Sequence, residues 1–230
     1  DADDFGGAAV ELELAVKYAP RMAGAWLNLG NTLGHHDLSL PRKLPFARSR
    51  DNLHPGFLVG TDALLPRAFG FTEYADLLDL LDSAGYEPGV GPGLRYAVYT
   101  YDWRRDLADS ACILAQGIAR IRARTGATRV HLVGHSLGGV LVRYYARYGG
   151  RDAMQDRACP LAAGSLGAAV NAPGAGAIRR LVTLGAPHRG SGQAFRALLQ
   201  DFNLFGFVGV GLRDSVSTMP LPWQLLPDAD

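Results

Sequence analysis

Lysine is almost missing from this 230-residue chain: Lys17 and Lys43 are the only two, and arginine supplies the rest of the 23 basic residues. Together with abundant alanine and glycine, that skew reads as GC-rich coding bias rather than a binding patch. Charge of one sign is not in excess either. The 23 basic and 22 acidic residues leave a formal charge of +1, which offers no electrostatic footprint for nucleic acid or for an anionic membrane. Cysteine is equally scarce. Cys112 and Cys159 are too few for a disulfide framework, and neither has a Cys or His neighbour at metal-ligand spacing, so the redox compartment stays open. Long apolar runs are lacking: none approaches the ~18 residues that a membrane span needs. The start, Asp1-Ala2-Asp3-Asp4, is acidic where a secretory leader is basic, and it is not Met. The chain is therefore expected to be trimmed or cut from something longer. What is present, 48% hydrophobic and 20% charged residues, is ordinary globular composition for one large domain or two small ones. It excludes disordered, collagen-like and disulfide-scaffold chains.

Residues 1–35 support two readings. Val10, Leu12, Leu14 and Val16 alternate with Glu11, Glu13, Ala15 and Lys17, the period of a half-buried strand. Ala8, Leu12, Ala15, Pro20, Trp26, Leu29 and Gly30 also fall at the spacings of tetratricopeptide helices, although a single unit cannot bury its own face. Pro41, Pro45, Pro55 and Pro66 then mark loop wrapped on a core. From Thr72, a plausible N-cap, Tyr74, Leu77, Leu78 and Leu81 share a helical face that ends at Gly85. Pro88 to Gly93 is turn-rich, and the aromatic and β-branched run Arg95 to Tyr101 predicts a strand.

A helix is predicted from about Asp106 to Arg124, with Leu107, Ala111, Leu114, Ala115, Ile118 and Ile121 on one stripe and Gly126 closing it. Strand Arg129 to Val133, helix Leu137 to about Arg147 and strand Ile178 to Leu184 follow. Alternating strands and helices imply parallel crossover units, hence an α/β sheet covered by helices on both faces, with the three strands as parallel neighbours. The Ala- and Gly-rich stretch Gly149 to Gly176 reads as an excursion that the core does not require.

The chemistry concentrates at Gly134-His135-Ser136-Leu137-Gly138. G-x-S-x-G set directly between a strand and an amphipathic helix is the context in which this motif makes a nucleophile. A serine on such a sharp turn would project its Oγ above the carboxyl edge of the sheet, with Gly134 and Gly138 avoiding collisions where strand meets helix. The Leu137 N–H, at the start of that helix, would face a developing oxyanion. After Ser136 the only histidine is His188. It is expected near the mouth of the serine pocket, beyond hydrogen-bond reach of Ser136 Oγ. His135 and His131 read as packing, and His35, His36 and His54 as loop residues, so no metal site is expected.

In order along the chain, Trp26-Leu27-Asn28-Leu29, Phe69-Gly70-Phe71-Thr72, Tyr101-Asp102-Trp103-Arg104, the serine motif and Leu184-Gly185-Ala186-Pro187-His188-Arg189-Gly190-Ser191 resemble landmarks of the lecithin:cholesterol acyltransferase family of lipases and acyltransferases, within the α/β-hydrolase superfamily. Ser217 to Pro227 resembles that family's Ser/Pro/Trp segment. The Tyr-Asp-Trp-Arg block discriminates most, and Asp102 and Arg104 within it read as a loop-anchoring ion pair rather than as catalysts. The resemblance implies an α/β-hydrolase-type, mostly parallel sheet flanked by helices, with residues 36–230 a partial domain cut at both ends. Two departures support that. The superfamily places an acid and then a base after the serine, and in this family both lie far downstream. The expected glycine-rich oxyanion loop has only Gly6-Gly7 and His54-Pro55-Gly56-Phe57 as weak substitutes.

The expected function is a serine-dependent lipid ester hydrolase or O-acyltransferase working through an acyl-serine at Ser136, without cofactor or metal. This chain alone is expected to have little esterase activity. Its partners would be a lipid or other ester and, transiently, a lipid interface, with the apolar stretch Phe202 to Gly211 read as either a buried strand or a lid. The alternatives are a small-ester carboxylesterase of the same fold and a catalytically silent interaction module.

Overall fold

The computed structural model describes residues 73–162, 164–199 and 216–227. The two readings of residues 1–35, the domain boundary after them, the Pro-rich stretch, the Thr72 cap and the Phe202 to Gly211 segment lie outside those residues.

Helix α1 (Glu73–Ser83) is closed at Gly85, whose φ of 85° suits a residue without a Cβ. Strands β1 (Glu87–Pro88) and β2 (Arg95–Tyr96) then form a short parallel pair. The strand predicted to run from Arg95 to Tyr101 thus stops at Tyr96, and its partner is β1 rather than the later strands. The reason is visible in the side chains. Tyr99 stacks on Tyr101 at a centroid distance of 6.1 Å and donates its hydroxyl to the Ser110 carbonyl. These aromatics therefore serve packing against the next helix, not a ladder.

That helix, α2 (Leu107–Thr125), follows from strong local signals. Asp106 caps it by accepting from the Ala108 N–H at 2.8 Å. Gly126, at φ 70°, ends it and donates to the Arg122 carbonyl, with Arg122 and Arg124 in the last turn. Between the caps, Ala108, Ala111, Leu114, Ala115 and Ile118 recur every three or four residues and are buried. This stripe and α3 (Leu137–Tyr148), through Leu141, Val142 and Tyr145, form the main core.

Strands β3 (Val130–His135) and β4 (Ile178–Leu184) are parallel neighbours, in register from Val130 opposite Ile178 to His135 opposite Leu184. Val130, Leu132, Ile178 and Leu181 pack on the core, whereas Val133, Val182 and Leu184 are exposed. Helices over both faces were expected. Among the described residues, the core helices α2 and α3 lie on one face, and His131, expected to be buried, is exposed on the other. The mixture of helices and parallel strands is an α/β fold, with its described strands in two two-stranded sheets rather than a single sheet.

The excursion before β4 is not dispensable. It contains α4 (Gly167–Asn171) and contributes Cys159, Val170 and Ala177 to the core. Its small residues are what let it approach so closely: a Cβ on Gly174 would lie 2.5 Å from the Tyr145 ring. Cys159 is disulfide-bonded to Cys112 of α2, across a Cα–Cα distance of 5.3 Å. Finally, α5 (Gly192–Leu199) and α6 (Pro220–Gln224) meet around Ala197, Val216 and Met219, with Trp103 packed against them. Gln224 clasps the start of α2, accepting from the Leu107 N–H at 3.0 Å and donating to Asp106 at 2.9 Å.

Candidate active site

Ser136 is the single residue between β3 and α3, and its backbone is held at φ 50° and ψ −123°. A β-carbon makes that conformation costly, by about 1–3 kcal/mol for such sparsely populated regions. Asp156 is the only other non-glycine residue with positive φ among the described residues. Surrounding contacts enforce the turn. The Ser136 N–H donates to the carbonyl of Leu184, the last residue of β4, at 2.8 Å, and its own carbonyl accepts from the Gly139 N–H at 2.9 Å. Ser136 therefore lies at the carboxyl edge of the β3–β4 pair, and it is exposed.

Glycine is required at two places nearby, and they differ from those expected. A Cβ on Gly134 would lie 2.5 Å from the Gly138 carbonyl oxygen, so strand and helix could not converge. A Cβ on Gly139 would lie 2.4 Å from the Cβ of Ala186, in the segment after β4. At Gly138 the nearest atom to such a Cβ is the Tyr101 hydroxyl, at an ordinary 3.8 Å. The serine motif and the Gly-Ala-Pro-His block are thus one packed unit, joined through Gly139 and Ala186. Only the doubled glycine at 138 and 139 hinted at this in the sequence.

Leu137 opens α3, so its N–H belongs to the first helical turn, which has no intrahelical acceptor. His188 sits in the turn after β4, exposed, with its Nε2 3.3 Å from Thr183 Oγ1. Among the described residues no hydrogen bond joins it to Ser136. His135 is held from outside, its Nδ1 2.9 Å from the hydroxyl of Tyr74 on α1, with the two rings edge-on.

The Tyr-Asp-Trp-Arg block lies beside this turn. Asp102 accepts from the Arg104 N–H at 3.1 Å, from its guanidinium at 2.9 and 2.8 Å, and from Arg105 at 3.0 Å. The Arg104 side chain is only 4% exposed, so this is an almost dry, multiply bonded pair, the kind that fixes geometry. Trp103 reaches instead to the Ala197–Met219 cluster. Burial pushes the Tyr101 phenol up from its ordinary pKa, and the neighbouring Tyr74 and Tyr99 add to the shift. Burial likewise raises the Asp106 carboxyl, partly offset by the Ala108 N–H. Sequence reasoning assigned no role to Tyr74, Tyr101 or Gln224. Their partners lie across the fold, so no local pattern marked them.

Among the described residues there is no cluster of three or more His, Cys, Asp or Glu able to hold a metal ion, and no helix long and apolar enough to cross a membrane. The family model for lecithin:cholesterol acyltransferase matches residues 56–208. That span takes in the Phe69 to Thr72, Tyr101 to Arg104, Ser136 and Leu184 to Ser191 segments. No curated protein and no solved structure matches the chain.

Proposed function

The chain belongs to the lecithin:cholesterol acyltransferase family, whose activity is acyl transfer or hydrolysis on lipid esters, and we propose that it performs this chemistry through Ser136 as nucleophile. The observation that carries the reading is the strained turn at Ser136, φ 50° between β3 and α3 at the carboxyl edge. A conformation that costs folding energy at an exposed serine is the mark of a residue held for reaction rather than for packing.

In the proposed cycle a general base takes the Ser136 Oγ proton as Oγ attacks the ester carbonyl. The tetrahedral oxyanion is stabilised by the Leu137 N–H. Collapse breaks the bond to the leaving alkoxide, which recovers the proton, and leaves an acyl-serine. Attack by water releases a fatty acid; attack by an alcohol releases a new ester. Either way the proton of the attacking O–H passes through the base and returns to Ser136 Oγ. The His188 ring, held toward Thr183, is assigned to the pocket mouth rather than to the base. The surrounding sheet is taken to be the hydrolase-type, mostly parallel one of the superfamily, of which β3 and β4 are two strands. A transient lipid interface belongs to the same reading: Phe195 and Leu199, one turn apart on α5, are exposed.

The test is labelling of the intact protein by a fluorophosphonate. Labelling that is lost in Ser136→Ala, together with turnover of long-chain esters reduced by at least about a thousandfold, is the expected outcome. Unchanged turnover in Ser136→Ala would refute the serine mechanism. A rate on short soluble esters that does not rise when the substrate forms an interface would favour the small-ester carboxylesterase reading.

A further inference from the structure

We infer that Tyr101 donates its phenolic O–H to the oxyanion formed at Ser136, as the second donor beside the Leu137 N–H. The inference rests on the serine mechanism proposed above and adds a residue to it.

Four observations converge on this residue. Its hydroxyl lies beside the first turn of α3, 3.8 Å from where a Cβ on Gly138 would stand, and among the described residues nothing else comes within 4 Å of that position. The space over Gly138 is therefore open, with a phenol at its far wall. Second, the hydroxyls of Tyr74, Tyr99 and Tyr144 each have a hydrogen-bond partner, whereas that of Tyr101 has none among the described residues. A half-buried tyrosine O–H ordinarily finds an acceptor. One left over, next to the place where an ester oxygen would become an anion, has its acceptor supplied by the reaction.

Third, the donor is rigid. The Tyr101 ring stacks nearly parallel on Tyr99, at an interplanar angle of 14°, and Tyr99 is tied to α2. The next residue, Asp102, is locked by Arg104 and Arg105. A donor fixed before the reaction costs no reorganisation during it, which is what makes oxyanion stabilisation large. Fourth, burial keeps the phenol protonated, so it remains a donor throughout the working pH range. This also gives the Tyr-Asp-Trp-Arg block a division of labour: Asp102 and Arg104 hold, and Tyr101 acts.

The proposal is tested in the intact protein with Tyr101→Phe, which keeps the ring and its stack. We expect kcat on an ester substrate to fall about a hundredfold, in line with loss of one oxyanion donor, with KM within a factor of about two. Affinity for an alkyl boronic acid, which forms an anionic tetrahedral adduct on serine, should fall by a similar factor, while the melting temperature stays put. A second variant, Gly138→Ala, places a methyl in the open space and should lower kcat in the wild-type background but little further in Tyr101→Phe. Unchanged kcat and boronate affinity in Tyr101→Phe, or fully additive effects of the two substitutions, would overturn the assignment. Full turnover in Ser136→Ala would instead remove the mechanism beneath it, so the two failures read differently.

Discussion

β1 and β2 pair over two residues near the surface; β3 and β4 pair over six against a core. Both pairs are parallel, yet different forces hold them. Neither β1 nor β2 contains a buried residue, and their pairing relies on the Glu87 N–H to Leu94 and Gly89 N–H to Tyr96 carbonyl bonds and on an exposed ion pair between Glu87 and Arg95. Only a short turn-rich connector joins them. In β3–β4 the chain crosses over through α3 and the excursion, and Leu141 and Val170, each 1% exposed, fill the space beneath the strands. Parallel strands of that length cannot return through a tight turn, and the long route back is where the stabilising burial is collected. The serine turn sits on this second pair, where a strained residue has the most structure to oppose its relaxation.

The comparison can be broken most severely at Leu141. Leu141→Ala should cost about 3 kcal/mol, the middle of the range for a fully buried leucine, measured by urea denaturation. A loss below about 1 kcal/mol would mean that the β3–β4 layer is not held as argued. A smaller and pH-dependent effect is expected at Asp106, at the head of α2. Its folded-state pKa is raised above 3.8 by burial, so the fold favours its protonated form. Its contribution to stability is therefore full below pH 3.8 and declines as pH rises through the raised value. Asp106→Asn, neutral throughout, should gain on the wild type as pH rises across that window and then run parallel to it; a difference flat in pH would contradict the shift. The smallest effect belongs to the surface pair. Glu87 is 67% exposed, so Glu87→Gln should change stability by only a few tenths of a kcal/mol and lose even that in high salt.

What could be read from sequence follows the same division. α2 was legible because its signals are local: Asp106 before the stripe, Gly126 after it, and apolar residues every three or four positions between. β3, β4 and the turn at Ser136 were legible for similar reasons, the last because a motif fell between two elements of the right kind. The run Ala97 to Tyr101 was misjudged because aromatic and β-branched residues suit a pleated sheet and a helix-packing segment equally well. Only the position of Ser110 decides between the two. The Ala- and Gly-rich excursion looked empty because small residues carry little hydrophobic signal, although their smallness is what admits Gly174 against Tyr145. At the site, Ser136 and Leu137 came from spacing, whereas Tyr101 and Gly139 came from contacts with Gly138 and Ala186, which no periodicity encodes.

The bond between Cys112 and Cys159, 47 residues apart, gives the molecule a topology that its elements do not. It closes a covalent ring that runs through the end of α2, β3, Ser136, the whole of α3 and the turn beyond. That turn, Arg151 to Arg157, presents Met154 at 86% exposure and is the ring's most accessible point. A backbone break there would open the ring without parting the molecule, leaving α3 and β4 on one continuous skeleton through the sulfur atoms. The serine is thus held at the carboxyl edge by packing and, independently, by a loop of covalent bonds.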